Sequence, residues 1–140
     1  MTEQATLQTG LTHSEGFCVQ PRHTVSAVDP DWPGFSDMPD VLATAYMIGF
    51  MEQTCIQALR PFLAPGEHTV GTGVNVTHVA ATLPGQNVTA RVELLEIDGR
   101  ALVFQVACYD EYGLIGEGVH RRTIINVARF TQRLEMRSLP

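Results

Sequence analysis

Residues 40–61 read DVLATAYMIGFMEQTCIQALRP, from Asp40 to Pro61. The stretch is almost wholly apolar, and its length and its stop at Pro61 predict a helix buried on nearly all sides. One carboxylate, Glu52, sits in its middle. A charge among apolar neighbours is costly unless it is paired or does chemistry, so Glu52 is the first candidate functional residue. Asp37 is placed to cap this helix, with Pro39 in its first turn and Asp40 adding negative charge near the positive helix end.

Beyond Pro65-Gly66 the period changes from helical to alternating. Residues 69–82, 87–98, 101–109 and 114–128 are rich in Val, Thr and Ile and read as strands, and a short strand is expected around 15–20. Leu83-Pro84-Gly85-Gln86, Asp98-Gly99 and 110–113 are tight turns, which makes neighbouring strands antiparallel. Upstream, residues 23–40 mix Pro, Asp and Gly with Trp32, Phe35 and Met38, and read as an ordered, lid-like loop. Residues 1–12 are polar and expected to be flexible.

A flat sheet cannot bury one apolar helix all round, whereas a strongly curved one can. The expected fold is therefore α+β, a hotdog fold in which a curved antiparallel sheet wraps one long central helix. The 140 residues form a single domain of this kind. Such a small sheet leaves one helix flank and one edge strand bare, so a homodimer or tetramer is expected.

Charge and cysteine content limit the function classes. The chain carries −6 net charge and no lysine, so all nine cations are arginines. That argues against non-specific nucleic-acid binding, which needs a basic face. No apolar run is long enough to span a membrane, and residues 1–16 lack the apolar core of a signal peptide. Cys18, Cys55 and Cys108 are widely spaced and odd in number. They read as buried free thiols in a reducing, cytoplasmic compartment rather than as a disulfide framework or zinc site. Two glycosylation sequons, at Asn75 and Asn87, read as chance matches within strands.

Thr44, Ile48 and Glu52 follow one another at four-residue spacing and share roughly one helix face. Thr44 falls near the helix start, where unpaired N–H groups favour a carbonyl that becomes an oxyanion. Glu52 could act as base or nucleophile on a thioester or ester. The two are roughly 12 Å apart along an ideal helix, so antiparallel helices across a dimer would be needed to bring them together. His78 alternates with Val74 and Val76, which turns it toward the helix as a partner for Glu52. Gly71 and Gly73 mark a bulge, a close backbone approach to a ligand, or both. Arg121 and Arg122 point to opposite sheet faces, so at most one reaches the site. That one is a candidate for the phosphate or adenine groups of coenzyme A, the other a solvated edge charge.

These blocks together resemble the fluoroacetyl-CoA thioesterases and their relatives in the hotdog superfamily. The resemblance runs through Met38-Pro39-Asp40-Val41, Ala43-Thr44, Met47, Gly49 and Met51-Glu52. It continues through Gly71-Thr72, Val76-Thr77-His78, residues 80–85 and Ile115-Gly116-x-Gly118-x-His120-x-Arg122. It implies hydrolysis of a small acyl-CoA without metal or cofactor, coenzyme A being part of the substrate. It implies Thr44, Glu52 and His78 as the catalytic set, and Gly71, Arg122, Phe35 and Met38 as substrate-binding residues. Met38 stands where the family's second lid phenylalanine is expected, and Ala45 where a glycine is; both departures bear on selectivity for the fluoroacetyl group. Two other readings compete. A hotdog enoyl-CoA hydratase would carry a D-x-N-P-x-H block, which this chain lacks. A non-catalytic acyl-CoA-binding protein would need the pocket without Glu52.

Overall fold

A computed structural model describes residues 6–139. Five strands form one antiparallel sheet: β1 (Thr12–Cys18), β2 (Glu67–Val76), β3 (Asn87–Asp98), β4 (Ala101–Asp110) and β5 (Gly113–Asn126). Their order across the sheet is β1-β3-β4-β5-β2. Three short elements, 3-10 turns at Pro21–His23 and Val25–Ala27 and the one-turn helix α1 (Pro33–Ser36), order the expected lid segment. Helix α2 (Thr44–Leu59) crosses the sheet, and α3 (Val127–Arg137) follows β5 directly. Among the described residues no helix is long and apolar enough to cross a membrane.

The core arises from the two periodicities meeting. Met47, Met51, Cys55 and Leu59 recur every four residues along α2, and none is more than 2% exposed. They meet the alternating inward residues Val88, Ala90, Val92 and Leu94 of β3 and Leu102, Phe104, Val106 and Cys108 of β4. Removing a fully buried aromatic such as Phe104 would cost about 3–5 kcal/mol. Register breaks between Gly71 and Gly73, Leu94 and Glu96, and Cys108 and Tyr109 bend the sheet toward the helix.

Several expectations change. Helix α2 starts at Thr44, not at Asp40, and is capped by the backbone of Ala43 rather than by Asp37. The reason lies just upstream, where Leu42 N–H and Ala43 N–H donate to Thr82 O and His23 O and hold the chain extended. Asp37 instead ends α1, and Asp40 accepts from Ser26 Oγ. The helix is not buried all round either, since Thr44, Ala45, Tyr46, Gly49 and Gln53 are exposed in the single chain. The first strand lies earlier than expected, and the last one ends at Asn126, whose side chain accepts from Arg129 N–H and starts α3. Cys18 is exposed, unlike Cys55 and Cys108; all three are free. Of residues 1–12, positions 1–5 lie outside the described residues. In the remainder, Leu7 and Leu11 pack on the core and Gly10 N–H donates to Leu94 O.

Candidate active site

The start of α2 and the segment after β2 build one cluster. Strand β2 ends at Val76, so His78 stands beyond it and not within a strand as expected. Thr77 N–H and Val79 N–H donate to Glu117 O and Ile115 O, which lays this segment across β5. Gly116 makes the crossing possible, because a Cβ there would collide with Thr77 O and come 2.8 Å from Met47 Sδ. The result is a 2.7 Å hydrogen bond between Thr44 Oγ1 and His78 Nδ1. Either atom can be the donor, depending on the histidine tautomer. His78 Nε2 is buried and has no hydrogen-bond partner among the described residues. Burial also pushes the His78 pKa down, favouring the neutral ring. At the helix start, the N–H groups of Thr44 and Ala45 bond to nothing in the described chain. Thr44, His78 and Met38 line an open cavity of about 310 Å³.

A second cluster surrounds Glu52. Its Oε2 accepts from Arg122 Nη1 at 2.7 Å. Arg122 is only 3% exposed, and its Nε and Nη2 donate to Thr69 Oγ1 and Thr69 O. His120, also buried, accepts from Arg122 Nη1 at Nε2 and donates from Nδ1 to Gly73 O. Because Nδ1 faces a carbonyl, the neutral ring carries its proton there. Burial lowers its pKa, the bond to Gly73 O opposes this, and the nearby guanidinium lowers it further. Gly71 closes the group: a Cβ at this position would lie 2.5 Å from Glu52 Oε2. The expected bulge lies between Gly71 and Gly73, and the close approach found at Gly71 is to the Glu52 side chain.

Within one chain these clusters stay apart. The β2–β5 register sets Arg122 opposite Gly71, while His78 reaches the sheet beside Gly116, six positions away along β5 and roughly 20 Å at strand spacing. Glu52 therefore pairs with Arg122, not with His78. Among the described residues, no three His, Cys, Asp or Glu side chains gather as metal ligands.

The profile of the fluoroacetyl-CoA-specific thioesterases matches residues 19–128. The chain belongs to this family. It is 38% identical over 132 residues to the fluoroacetyl-CoA thioesterase of Streptantibioticus cattleyicolor, spanning 94% of this chain and 95% of that one. A solved structure of the fluoroacetyl-CoA thioesterase FlK superposes with a TM-score of 0.93 at 38% identity, covering 97% of this chain and all of the other. A Thermus thermophilus thioesterase superfamily member gives 0.76 at 29% identity, covering 98% and 97%. A hot-dog-like protein from Thermanaerovibrio acidaminovorans shares the fold at 20% identity and a TM-score of 0.81, covering 94% and 93%. The fold is thus the expected hotdog.

Against the family pattern, the chain brings Thr44, His78 and Met38 to one cavity and Glu52, Gly71 and Arg122 to another group. Phe35 is half-buried and stacks edge-on against Trp32 at a centroid distance of 5.2 Å, but lines neither. The large lid side chains do not seal the helix end, since Trp32 and Met38 stay 51% and 47% exposed. Arg122, a candidate for phosphate contact, points inward instead and is taken up by Glu52 and Thr69. His120 was not among the expected site residues. The clue to it was the His120-x-Arg122 spacing, which puts both side chains on one strand face.

Proposed function

We propose that this protein hydrolyses a small acyl-CoA thioester to the free acid and coenzyme A. It works as one hotdog domain in the cytoplasm, with no cofactor beyond the coenzyme A of its substrate. The observation that carries the reading is the 2.7 Å contact between Thr44 Oγ1 and His78 Nδ1, beside two unbonded N–H groups at the helix start. The thioester carbonyl oxygen accepts from those N–H groups, so the charge that develops on it during attack meets fixed donors and the positive helix end. Where water or Thr44 attacks, a neutral His78 takes the proton of the attacking hydroxyl and returns one to the departing coenzyme A thiolate. The attacking group is water activated by His78 and Glu52, or the side chain of Thr44 or Glu52 through an acyl-enzyme. Acid-quenched single turnovers read by mass spectrometry separate these routes, since an acyl-enzyme carries the acyl mass on Thr44 or Glu52 and direct water attack leaves none. Broader acyl selectivity than fluoroacetyl follows from Met38, whose flexible thioether admits more shapes than a phenyl ring.

The working unit is a homodimer joined through β2. Strand β2 has an unpaired outer edge, and its residues Thr72, Val74 and Asn75 are exposed. Two-fold antiparallel pairing of this edge carries the His78 end of one chain toward the start of β2 in the other, where Gly71 lies against Glu52. The buried, unpartnered His78 Nε2 then gains a carboxylate from Glu52 of the partner subunit. Release of free thiol from acetyl-, fluoroacetyl-, branched and aryl-acyl-CoA tests the activity, with Glu52→Gln and His78→Ala as controls. Binding of several acyl-CoAs without turnover would replace the enzyme by a binding protein. Mixing Thr44→Ala and Glu52→Gln subunits tests the shared site, since only a site built from two chains regains activity in the mixture.

A further inference from the structure

Although the chain carries −6 net charge, Arg100, Arg129 and Arg133 converge on one cleft of about 220 Å³ at the β5–α3 junction. The cleft is also lined by Phe130, Thr123 and Asn126. Helix α3 explains the grouping: Arg129, Arg133 and Arg137 fall at four-residue spacing on one stripe, beside the apolar stripe of Val127, Phe130 and Leu134. Arg100 is held in place by donating from Nη1 to Ile124 O, and it pairs with Glu67 at 3.4 Å. Arg129 and Arg133 enter no ion pair among the described residues. Two free guanidinium groups and an aromatic ring in one cleft suit a ligand with several phosphates and a flat base.

We propose that this cleft binds the 3′-phospho-ADP end of coenzyme A. The inference rests on the thioesterase reading and adds the place where the substrate's charged end lies. Arg129 and Arg133 hold its phosphates, and Phe130 stacks on the adenine. The cleft is lined by β5 from Thr123 to Asn126, and its far end lies four residues and roughly 13 Å along the strand from Arg122 of the Glu52 group. A pantetheine arm spans that interval with its thioester left near the helix.

The test compares acetyl-CoA with acetyl-pantetheine, which has the same thioester and no nucleotide. In Arg129→Ala/Arg133→Ala, KM for acetyl-CoA should rise about tenfold with kcat within about twofold, while KM for acetyl-pantetheine stays unchanged. Coenzyme A binding by calorimetry should weaken by the same factor. Arg129→Lys/Arg133→Lys should stay within about threefold of the parent, because charge is kept and only the forked geometry is lost. An unchanged KM for acetyl-CoA, or an equal rise for both thioesters, overturns the subsite. If the parent protein hydrolyses neither thioester yet the alanine variant still binds coenzyme A more weakly, the subsite stands and the thioesterase reading falls. If the parent is active and the variant binds coenzyme A normally, the reverse holds.

Discussion

Arg122 Nη1 donates to Glu52 Oε2 at 2.7 Å, and the two side chains differ sharply in exposure, 3% for the arginine and 38% for the glutamate. The guanidinium lies behind the carboxylate and leaves it facing outward. Arg122→Ala leaves Thr69, His120 and Glu52 short of partners. Because Glu52 is partly solvated, the expected loss is about 1–3 kcal/mol, below that of a fully buried pair. Glu52→Gln keeps the shape and should lower the midpoint by only a few degrees while abolishing thiol release. Chemical and thermal denaturation and turnover, measured on both variants, separate support from chemistry.

Gly71→Ala should disturb the site without disturbing the strand. The backbone at Gly71 is not in the left-handed region, so the cost is steric alone. Its new methyl group would lie 2.5 Å from Glu52 Oε2 and push the carboxylate off its position. A fall in kcat of roughly tenfold or more is expected, with a small change in melting temperature. Gly73→Ala is the control, since its methyl group would meet only the flexible, exposed Arg121 side chain, at 3.3 Å.

Acid should weaken both activity and stability. His78 and His120 have folded pKa values below the usual 6.5, each chiefly through burial. Between those values and 6.5 the unfolded chain binds more protons than the folded one, so stability rises with pH there. Read downward, stability is lost as pH falls below 6.5 and levels off once both folded rings are protonated. Protonated His120 would turn an N–H toward Arg122 and lose the bond it accepts. A urea-midpoint series from pH 8 to 5 should show the decline, and His120→Asn should make it shallower.

The cysteines should react unequally. Cys18 is exposed, whereas burial pushes the Cys55 and Cys108 thiols up to about 12. Thiolate is the reactive form, so an aromatic disulfide reagent should titrate one thiol in the native protein and all three in denaturant. More than one rapid equivalent in the native state would contradict the burial.

Local signals were readable where a single physical cause dominates. The long apolar run that stops at Pro61 predicted α2, and strand composition with turn residues predicted β3 to the residue and β4 to within one residue at its end. Boundaries failed where tertiary hydrogen bonds decide. Asp37 looked like a cap, yet the bonds of Leu42 and Ala43 to Thr82 and His23 start the helix later. Residues 77–82 read as strand because their composition is that of β2, but their N–H groups bond across Gly116 instead. Helix α3 was missed although Asn126 and the Val127, Phe130, Leu134 spacing mark it, because the preceding Ile124-Ile125 run continued the strand pattern.

Sequence alone determined that this chain is a curved sheet around one apolar helix, and that Glu52 is a charge in need of a partner. Both follow from periodicity and from the cost of burying a carboxylate, which are local properties. Only the tertiary structure decided which partner each residue has. Glu52 meets Arg122, and Thr44 meets His78, because strand register and the glycine crossing at Gly116 set distances between residues far apart in the chain. No pattern within a short window encodes those distances.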